Sequence, residues 1–251
     1  VSEPPSEIVR LAREARRVTV LTGAGMSAES GVPTFRDAQT GLWARYDPMT
    51  LATPEAFETD PELVWAWYAW RRRLMQQVQP NAGHRALAEW GRRDGVQVRI
   101  ATQNVDDLHE RAGSEVLAHL HGSLFELRCF DCDRRYTGAV EIPDEQVERL
   151  EPPVCGACAG PVRPGIVWFG ELLPQRDLAR AEQAATEADL VLVVGSSGLV
   201  HPAAGLPLQA LAAGVPTIEV NPAESAFSPY ADFAWRTTAG TGLPALVAAL
   251  D

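Results

Sequence analysis

Four cysteines stand in two pairs, Cys129-x-x-Cys132 and Cys155-x-x-Cys158, and the chain contains no others. Each pair can present two thiolates to one ion, and four thiolates complete a tetrahedral Zn²⁺ site with no position left for water or substrate. A pair of redox disulfides is the competing use of the same residues, but it needs two independent motifs and suits a cytoplasmic chain poorly. The spacing predicts one structural Zn²⁺ on Cys129, Cys132, Cys155 and Cys158, holding a small module together without taking part in chemistry.

The stretch Val18–Ala28, VTVLTGAGMSA, runs from an apolar segment into Gly23-x-Gly25-x-x-Ala28. Glycines behind a strand let the backbone approach a pyrophosphate, and the amides that follow can cradle its charge. A tight strand-to-helix turn with no ligand has the same letters, and the position after a strand favours binding. Gly31 and Pro33 end any helix early, which counts against the long crossover of a hydride-transferring dehydrogenase. Two polar turns follow further strand-like runs, Thr102-Gln-Asn-Val-Asp106 and His119-Leu-His121-Gly122. A histidine at such a turn can move a proton near neutral pH. His119 and His121 lie two apart and share a side by strand periodicity, so position alone does not separate them. His84, His109 and His201 are expected to be satisfied structural histidines.

These groups need a frame. Strand character at Val18–Leu21, Val98–Ala101, Val116–Leu120, Leu190–Val194 and Pro216–Val220 alternates with helical character at Ile8–Arg17, Ala82–Arg93 and Arg176–Glu187. The alternation predicts an α/β fold with a doubly wound, Rossmann-like parallel sheet, whose ligands sit at the carboxyl ends of the strands. Two stretches interrupt it. Residues 37–79 lack strands and carry a helix beginning at Pro61 with Asp60 as its N-cap. Residues 128–163 hold the cysteines with little sign of a packed core.

Across 251 residues the 46% hydrophobic and 22% charged content is that of an ordinary soluble chain. A formal charge of −11 argues against non-specific binding to nucleic acid or anionic membrane. All 22 cationic residues are arginine, so the chain cannot be modified on lysine side chains of its own. The N-terminal stretch lacks the basic-then-apolar order of a signal peptide, and no apolar run approaches the roughly 20 residues needed to cross a bilayer. A cytoplasmic protein is expected.

In order along the chain come Gly23-Ala-Gly25-Met-Ser27, Gly31-Val-Pro-Thr-Phe-Arg36, Thr102-Gln-Asn-Val-Asp106, His121-Gly122, the cysteine pairs and Gly195-Ser-Ser197. From Val18 onward the chain resembles the sirtuins, NAD-dependent protein-lysine deacylases. The resemblance implies that Ala24, Gly25, Ser196, Ser197 and Asn221 bind the NAD phosphates and riboses. It also implies that Ala28, Phe35, Arg36, Gln103, Asn104 and Asp106 surround the nicotinamide and its ribose. Gly23, Ser27, Thr34, Gly195, Pro222 and Ala239 belong to the same NAD-binding set. His121 is implied as general base, with Asn104 as its catalytic companion, and Val167-Trp168-Phe169-Gly170-Glu171 as an edge that pairs with the substrate backbone. Departures are mild: Ser196 and Met26 replace a commoner threonine and isoleucine. On this basis residues 1–36, 81–128 and 163–251 form the NAD-binding domain. Residues 37–80 are a helical insertion with the acyl pocket, and residues 129–162 the zinc-binding module. NAD is consumed as co-substrate, acyl-lysine proteins or peptides are the partners, and a monomer is expected. A mono-ADP-ribosyltransferase or an NAD-sensing module on the same fold is the alternative; His121 and Asn104 favour catalysis.

The segment Trp65–Leu74, WAWYAWRRRL, joins aromatics to three arginines. From Pro61, helical spacing puts Leu63, Val64, Trp67, Leu74, Met75 and Val78 largely on one buried face and leaves Trp65, Arg72 and Arg73 partly solvated. Tyr68 and Arg71, three apart, share a side near that face. Spacing alone favours a packed tyrosine and an arginine paired with a surface carboxylate. With Ala52 in Leu51-Ala-Thr-Pro54, however, Tyr68-x-x-Arg71 resembles the desuccinylase and demalonylase branch of the sirtuins. There the alanine widens the acyl pocket while tyrosine and arginine hold the distal carboxylate.

Overall fold

The computed structural model describes residues 3–32 and 41–251. Thr34, Phe35 and Arg36, expected near the nicotinamide, lie outside the described residues. The chain divides into two compact units, one of Val1–Val32, Gln79–Leu120 and Leu173–Asp251, the other of Pro33–Val78 and His121–Leu172. The expected boundaries after residues 128 and 162 put 121–128 and 163–172 with the larger domain; by compactness these two stretches group with the cysteines. They do so because they pair with each other as strands.

Along the chain come α1 (Ser6–Glu14), β1 (Arg17–Thr22), α2 (Gly25–Ala28), α3 (Pro48–Leu51), α4 (Pro54–Thr59), α5 (Pro61–Gln77) and α6 (Ala82–Trp90). Then follow β2 (Gln97–Thr102), α7 (Leu108–Ala112), β3 (Glu115–His119), β4 (Gly122–Cys129), β5 (Arg135–Tyr136) and β6 (Val162–Ile166). The last part holds α8 (Gln175–Thr186), β7 (Leu190–Val194), α9 (Leu206–Ala212), β8 (Thr217–Val220), β9 (Phe233–Trp235) and α10 (Ala239–Ala248).

In the first unit six strands pair in the order β3-β2-β1-β7-β8-β9, every neighbour parallel. This is the doubly wound α/β sheet that the alternation predicts. Helices cover the sheet on both faces, so the central strands are the most enclosed: every residue of β7 and β8 is buried, and in β1 all but Arg17. Ile8, Leu87, Trp90, Leu243 and Leu246 pack against Val18, Val20 and Leu192 in one core. The edge strand β9 went unanticipated, since three residues carry no readable periodicity.

In the second unit β4 pairs antiparallel with β5 and β6. Gly122 opens β4 at φ +72°, and a Cβ there would overlap the Gly165 carbonyl oxygen. Glycine after His121 is therefore a requirement of the strand pairing. Helix α5 starts as its cap predicts: Asp60 Oδ1 accepts from the Leu63 N–H at 3.2 Å, with Pro61 next to it. The single buried stripe is a correction. Trp65 is 3% exposed rather than partly solvated, and Ala66, Tyr68 and Ala69 are buried with Val64 and Trp67. The first half of α5 is enclosed on most sides, so its enclosure exceeds what one amphipathic face predicts. Arg72 is half-buried with its guanidinium 5.5 Å from the Phe125 ring centre. Arg73 pairs with Asp144 at 2.7 Å, its side chain 26% exposed.

Candidate active site

The strand order reverses beside β1, between β1 and β7, the place where open α/β sheets leave a crevice for ligands at their carboxyl edge. Gly23 donates its N–H to Val194 O at 3.0 Å, and Gly25 to Gly195 O at 2.8 Å. A Cβ on Gly23 would stand 2.8 Å from the Gly195 oxygen, and one on Gly25 2.7 Å from Gly195 Cα. Gly195 itself has φ +61° and would drive a Cβ into the Met26 nitrogen. The three glycines thus first let two loop backbones touch each other. Helix α2 spans four residues, Gly25–Ala28, and stops before Gly31 at φ +83°. Ala24 before the helix and Ala28 at its end are exposed, while Ser27 is buried.

A buried polar network lies along the same edge. Ser27 Oγ donates to Asp106 Oδ2 at 2.8 Å, and Asn104 Nδ2 donates to Ser27 Oγ at 3.1 Å. The Asn104 N–H bonds Thr102 Oγ1 at 3.0 Å, and Thr22 Oγ1 bonds the same oxygen at 2.8 Å. Burial pushes the Asp106 carboxyl up, against the pull of the Ser27 hydroxyl and the Leu108 N–H. Gln103 Nε2 donates to Ser196 Oγ at 3.2 Å, and Asn221 Nδ2 to Ser196 O at 2.9 Å. Seven of the sequence-derived residues therefore lie just past the ends of four strands, β1, β2, β7 and β8: Ser27, Gln103, Asn104, Asp106, Gly195, Ser196 and Asn221. Ser197 and Pro222 are exposed on their loops, and Ala239 is buried at the start of α10.

Sequence reasoning missed what holds the loop after Asn221. Glu219, fully buried in β8, takes a 2.7 Å ion pair from Arg236 and hydrogen bonds from Ser225 and Ser228. A buried glutamate in a strand followed by an arginine 17 residues on offers no local pattern.

The histidines separate in the fold. His119 ends β3 in the first unit, with Nε2 2.6 Å from Glu110 Oε1. His121 starts the second stretch of the second unit, half-buried, and its carbonyl accepts the Val167 N–H at 2.9 Å. His84 accepts the Asn81 N–H on Nδ1 at 3.3 Å, completing a capping box for α6. His109 lies 3.2 Å from Thr22 Oγ1 through Nε2. Both are buried, whereas His201 is exposed.

The four cysteine sulfurs lie within 4.8 Å of one another. Cys129 and Cys158 are 3.4 Å apart, and Cys132 and Cys155 3.8 Å. Sulfurs about 2.3 Å from a tetrahedral zinc stand roughly 3.8 Å from each other, so the cluster fits one structural ion. The N–H groups of Ala157 and Cys158 pull the Cys155 thiol down, whereas the neighbouring sulfurs of Cys129 and Cys132 push the Cys158 thiol up.

In the second unit, Ala52 is buried and its carbonyl accepts the Phe169 N–H at 3.0 Å. Tyr68 is buried, and its hydroxyl accepts a hydrogen bond from Trp168 Nε1 at 2.9 Å. Arg71 is half-buried with its guanidinium 5.1 Å from the Trp67 ring centre. Burial pushes the Tyr68 phenol up, partly offset by the Arg71 charge, and burial lowers Arg71 itself. Within the Val167–Glu171 strip, Trp168 is buried while Phe169 and Gly170 are exposed. The Glu171 side chain is turned to Arg163, at 2.5 and 2.9 Å.

Residues 23–202, well over half of the chain, match the Sir2 family. A Corynebacterium glutamicum protein named NAD-dependent protein deacylase is 52% identical over 97% of this chain and 95% of its own length. A crystal structure of a Sir2 homolog–NAD complex is 44% identical with a TM-score of 0.88, covering 99% of this chain and 94% of its own. A structure of Sir2 with a p53 peptide and NAD⁺ is 34% identical with a TM-score of 0.80, covering 95% of each chain. The strand order, the four-sulfur cluster and these likenesses agree: the chain belongs to the Sir2 family.

Proposed function

We propose that the chain is an NAD-dependent protein-lysine deacylase acting on acyl-lysine peptides, with a pocket suited to succinyl and malonyl groups. The observation that carries the NAD-dependent part is the buried Ser27–Asn104–Asp106 network at the reversal of strand order. Such side chains, already bonded to one another, offer fixed polar groups to a ribose without reorganising. When bound, NAD supplies a ribose carbon activated by a positively charged leaving group. The Gly23–Gly25 and Gly195–Ser197 loops bind its phosphates, Asn104 orients the ribose, and His121 removes a proton from a ribose hydroxyl through a ring nitrogen. Tyr68 and Arg71 bind the distal carboxylate of the acyl group, and Val167–Glu171 aligns the peptide. The four cysteines hold one zinc, which has no open position for substrate.

Among the described residues no helix is long and apolar enough to cross a membrane. A cytoplasmic monomer is part of the same proposal, testable by fractionation and sedimentation.

The test is one peptide carrying acetyl, succinyl, malonyl or longer acyl groups on its lysine, incubated with NAD and followed by mass spectrometry. The chain has no lysine of its own, so every acyl-lysine signal comes from the peptide. Deacylated peptide together with O-acyl-ADP-ribose, greatest for the succinyl or malonyl arm, is expected. Peptide that gains ADP-ribose and keeps its acyl group identifies a transferase instead.

A further inference from the structure

Trp168 sits in the strip assigned to the peptide backbone, yet its ring points into the buried interior of the second unit. There its Nε1–H donates to the Tyr68 hydroxyl at 2.9 Å, with 2% and 3% of the two residues exposed. An indole N–H can only donate, whereas a phenol has one proton and two lone pairs. The bond therefore occupies a lone pair and leaves the phenolic proton to be given elsewhere. Among the described residues no acceptor takes that proton.

The indole is held from every side that matters. Its own backbone N–H donates to Glu171 Oε2 at 2.7 Å. Arg163, 3% exposed, grips both oxygens of that carboxylate and also donates to Ile166 O at 2.9 Å. The Arg163 guanidinium lies 3.4 Å from the centre of the Trp168 ring, and Phe57 packs on the ring at 5.3 Å. A buried ion pair of this kind contributes little net stability against an apolar core, but it fixes geometry.

We propose that Trp168, clamped by Arg163 and Glu171, is a positioning residue that fixes the Tyr68 hydroxyl as a donor to the distal carboxylate of the acyl group. The role rests on the acyl-pocket reading given above and extends it. The strip that aligns the peptide backbone also sets the reader of the acyl terminus, so both ends of the modified lysine are registered through one side chain. Burial pushes the phenol further up from its already high value, so the hydroxyl carries its proton at neutral pH.

Trp168→Phe keeps an aromatic ring under Arg163 and deletes only the N–H. The expected result is a fall of about five-fold in the succinyl-to-acetyl ratio of kcat/KM, the size of one ordinary hydrogen bond. In a Tyr68→Phe background the same change should leave the ratio where it is, because the hydroxyl through which Trp168 acts is gone. A readout independent of turnover is the Trp168 indole ¹H–¹⁵N resonance, assigned by its loss in Trp168→Phe. It should shift upfield in Tyr68→Phe, and in wild type it should move further on adding succinyl-lysine peptide than on adding acetyl-lysine peptide, a difference that Tyr68→Phe removes. A wild-type protein that prefers succinyl while Trp168→Phe keeps that preference whole overturns the positioning role alone. An effect of Trp168→Phe that persists undiminished in Tyr68→Phe, or an indole resonance blind to Tyr68→Phe, overturns it as well. A wild-type protein with no preference between the two acyl groups overturns the acyl reading and this role together.

Discussion

Arg71→Met should exchange one acyl preference for another. Arg71 is half-buried with its guanidinium 5.1 Å from the Trp67 ring centre, and burial lowers its pKa. A succinyl carboxylate can accept two parallel charge-assisted hydrogen bonds from a guanidinium, each worth about 1.5–3 kcal/mol. Part of that gain is consumed in desolvating the carboxylate, leaving a net near 2.7 kcal/mol, or about 10²-fold in kcat/KM. An acetyl group has no carboxylate to give. Methionine has a similar length and no charge, so the variant should lose about 10²-fold toward succinyl peptide while sparing or improving turnover of acetyl peptide. The assay is kcat/KM for one peptide in both acyl forms, with the melting temperature recorded for each protein. Arg73→Met should leave the ratio unchanged, since Arg73 is engaged by Asp144 at the surface. Arg72→Met should also leave it unchanged and cost about 1 kcal/mol of stability through the lost stacking on Phe125. Equal losses on both substrates in Arg71→Met would refute the reasoning, because Arg71 would then be a structural residue.

His121→Ala should lower deacylation by roughly 10²–10⁴ while NAD affinity, measured by calorimetry, stays close to wild type; a larger loss in His119→Ala would move the base to the residue bonded to Glu110. Elemental analysis should find about one zinc per chain, and Cys129→Ser or Cys155→Ser should precipitate the protein rather than alter acyl preference; fully active protein without metal contradicts this. Burial, with a smaller push from Arg85, holds His84 down at about 4, and burial sets His109 well below its ordinary value. The unfolded chain, with histidine near 6.5, takes up protons first. Stability is therefore whole above about pH 6.5 and falls toward pH 4, by about 1.4 kcal/mol per pH unit for each ring. Urea midpoints at several pH values should show this slope, and His84→Gln, which keeps an acceptor for the Asn81 N–H, should flatten it.

What the sequence determines here is whatever depends on neighbours along the chain. Apolar runs between helical segments are enough to announce the parallel sheet. Asp60 followed by Pro61 starts α5 where the cap chemistry requires, and two Cys-x-x-Cys pairs define a metal cluster whose sulfurs do converge. The glycines of the first turn were legible as a place where backbone must come close. Only the fold disclosed that the closest partner is a second glycine loop, since strand order brings Gly195 to Gly25 across 170 residues of sequence. The histidines, only two apart, were hidden for another reason: strand periodicity puts His119 and His121 on one side, but β3 ends at His119 and His121 belongs to the other compact unit. Helical spacing put Trp65 partly in solvent because it counts one face, while packing enclosed α5 on several. The chain from Arg163 through Glu171 and Trp168 to Tyr68 lies wholly beyond local reading. A hydrogen bond between residues 100 apart is specified by where two backbones are carried, and that is decided only when the core closes around them.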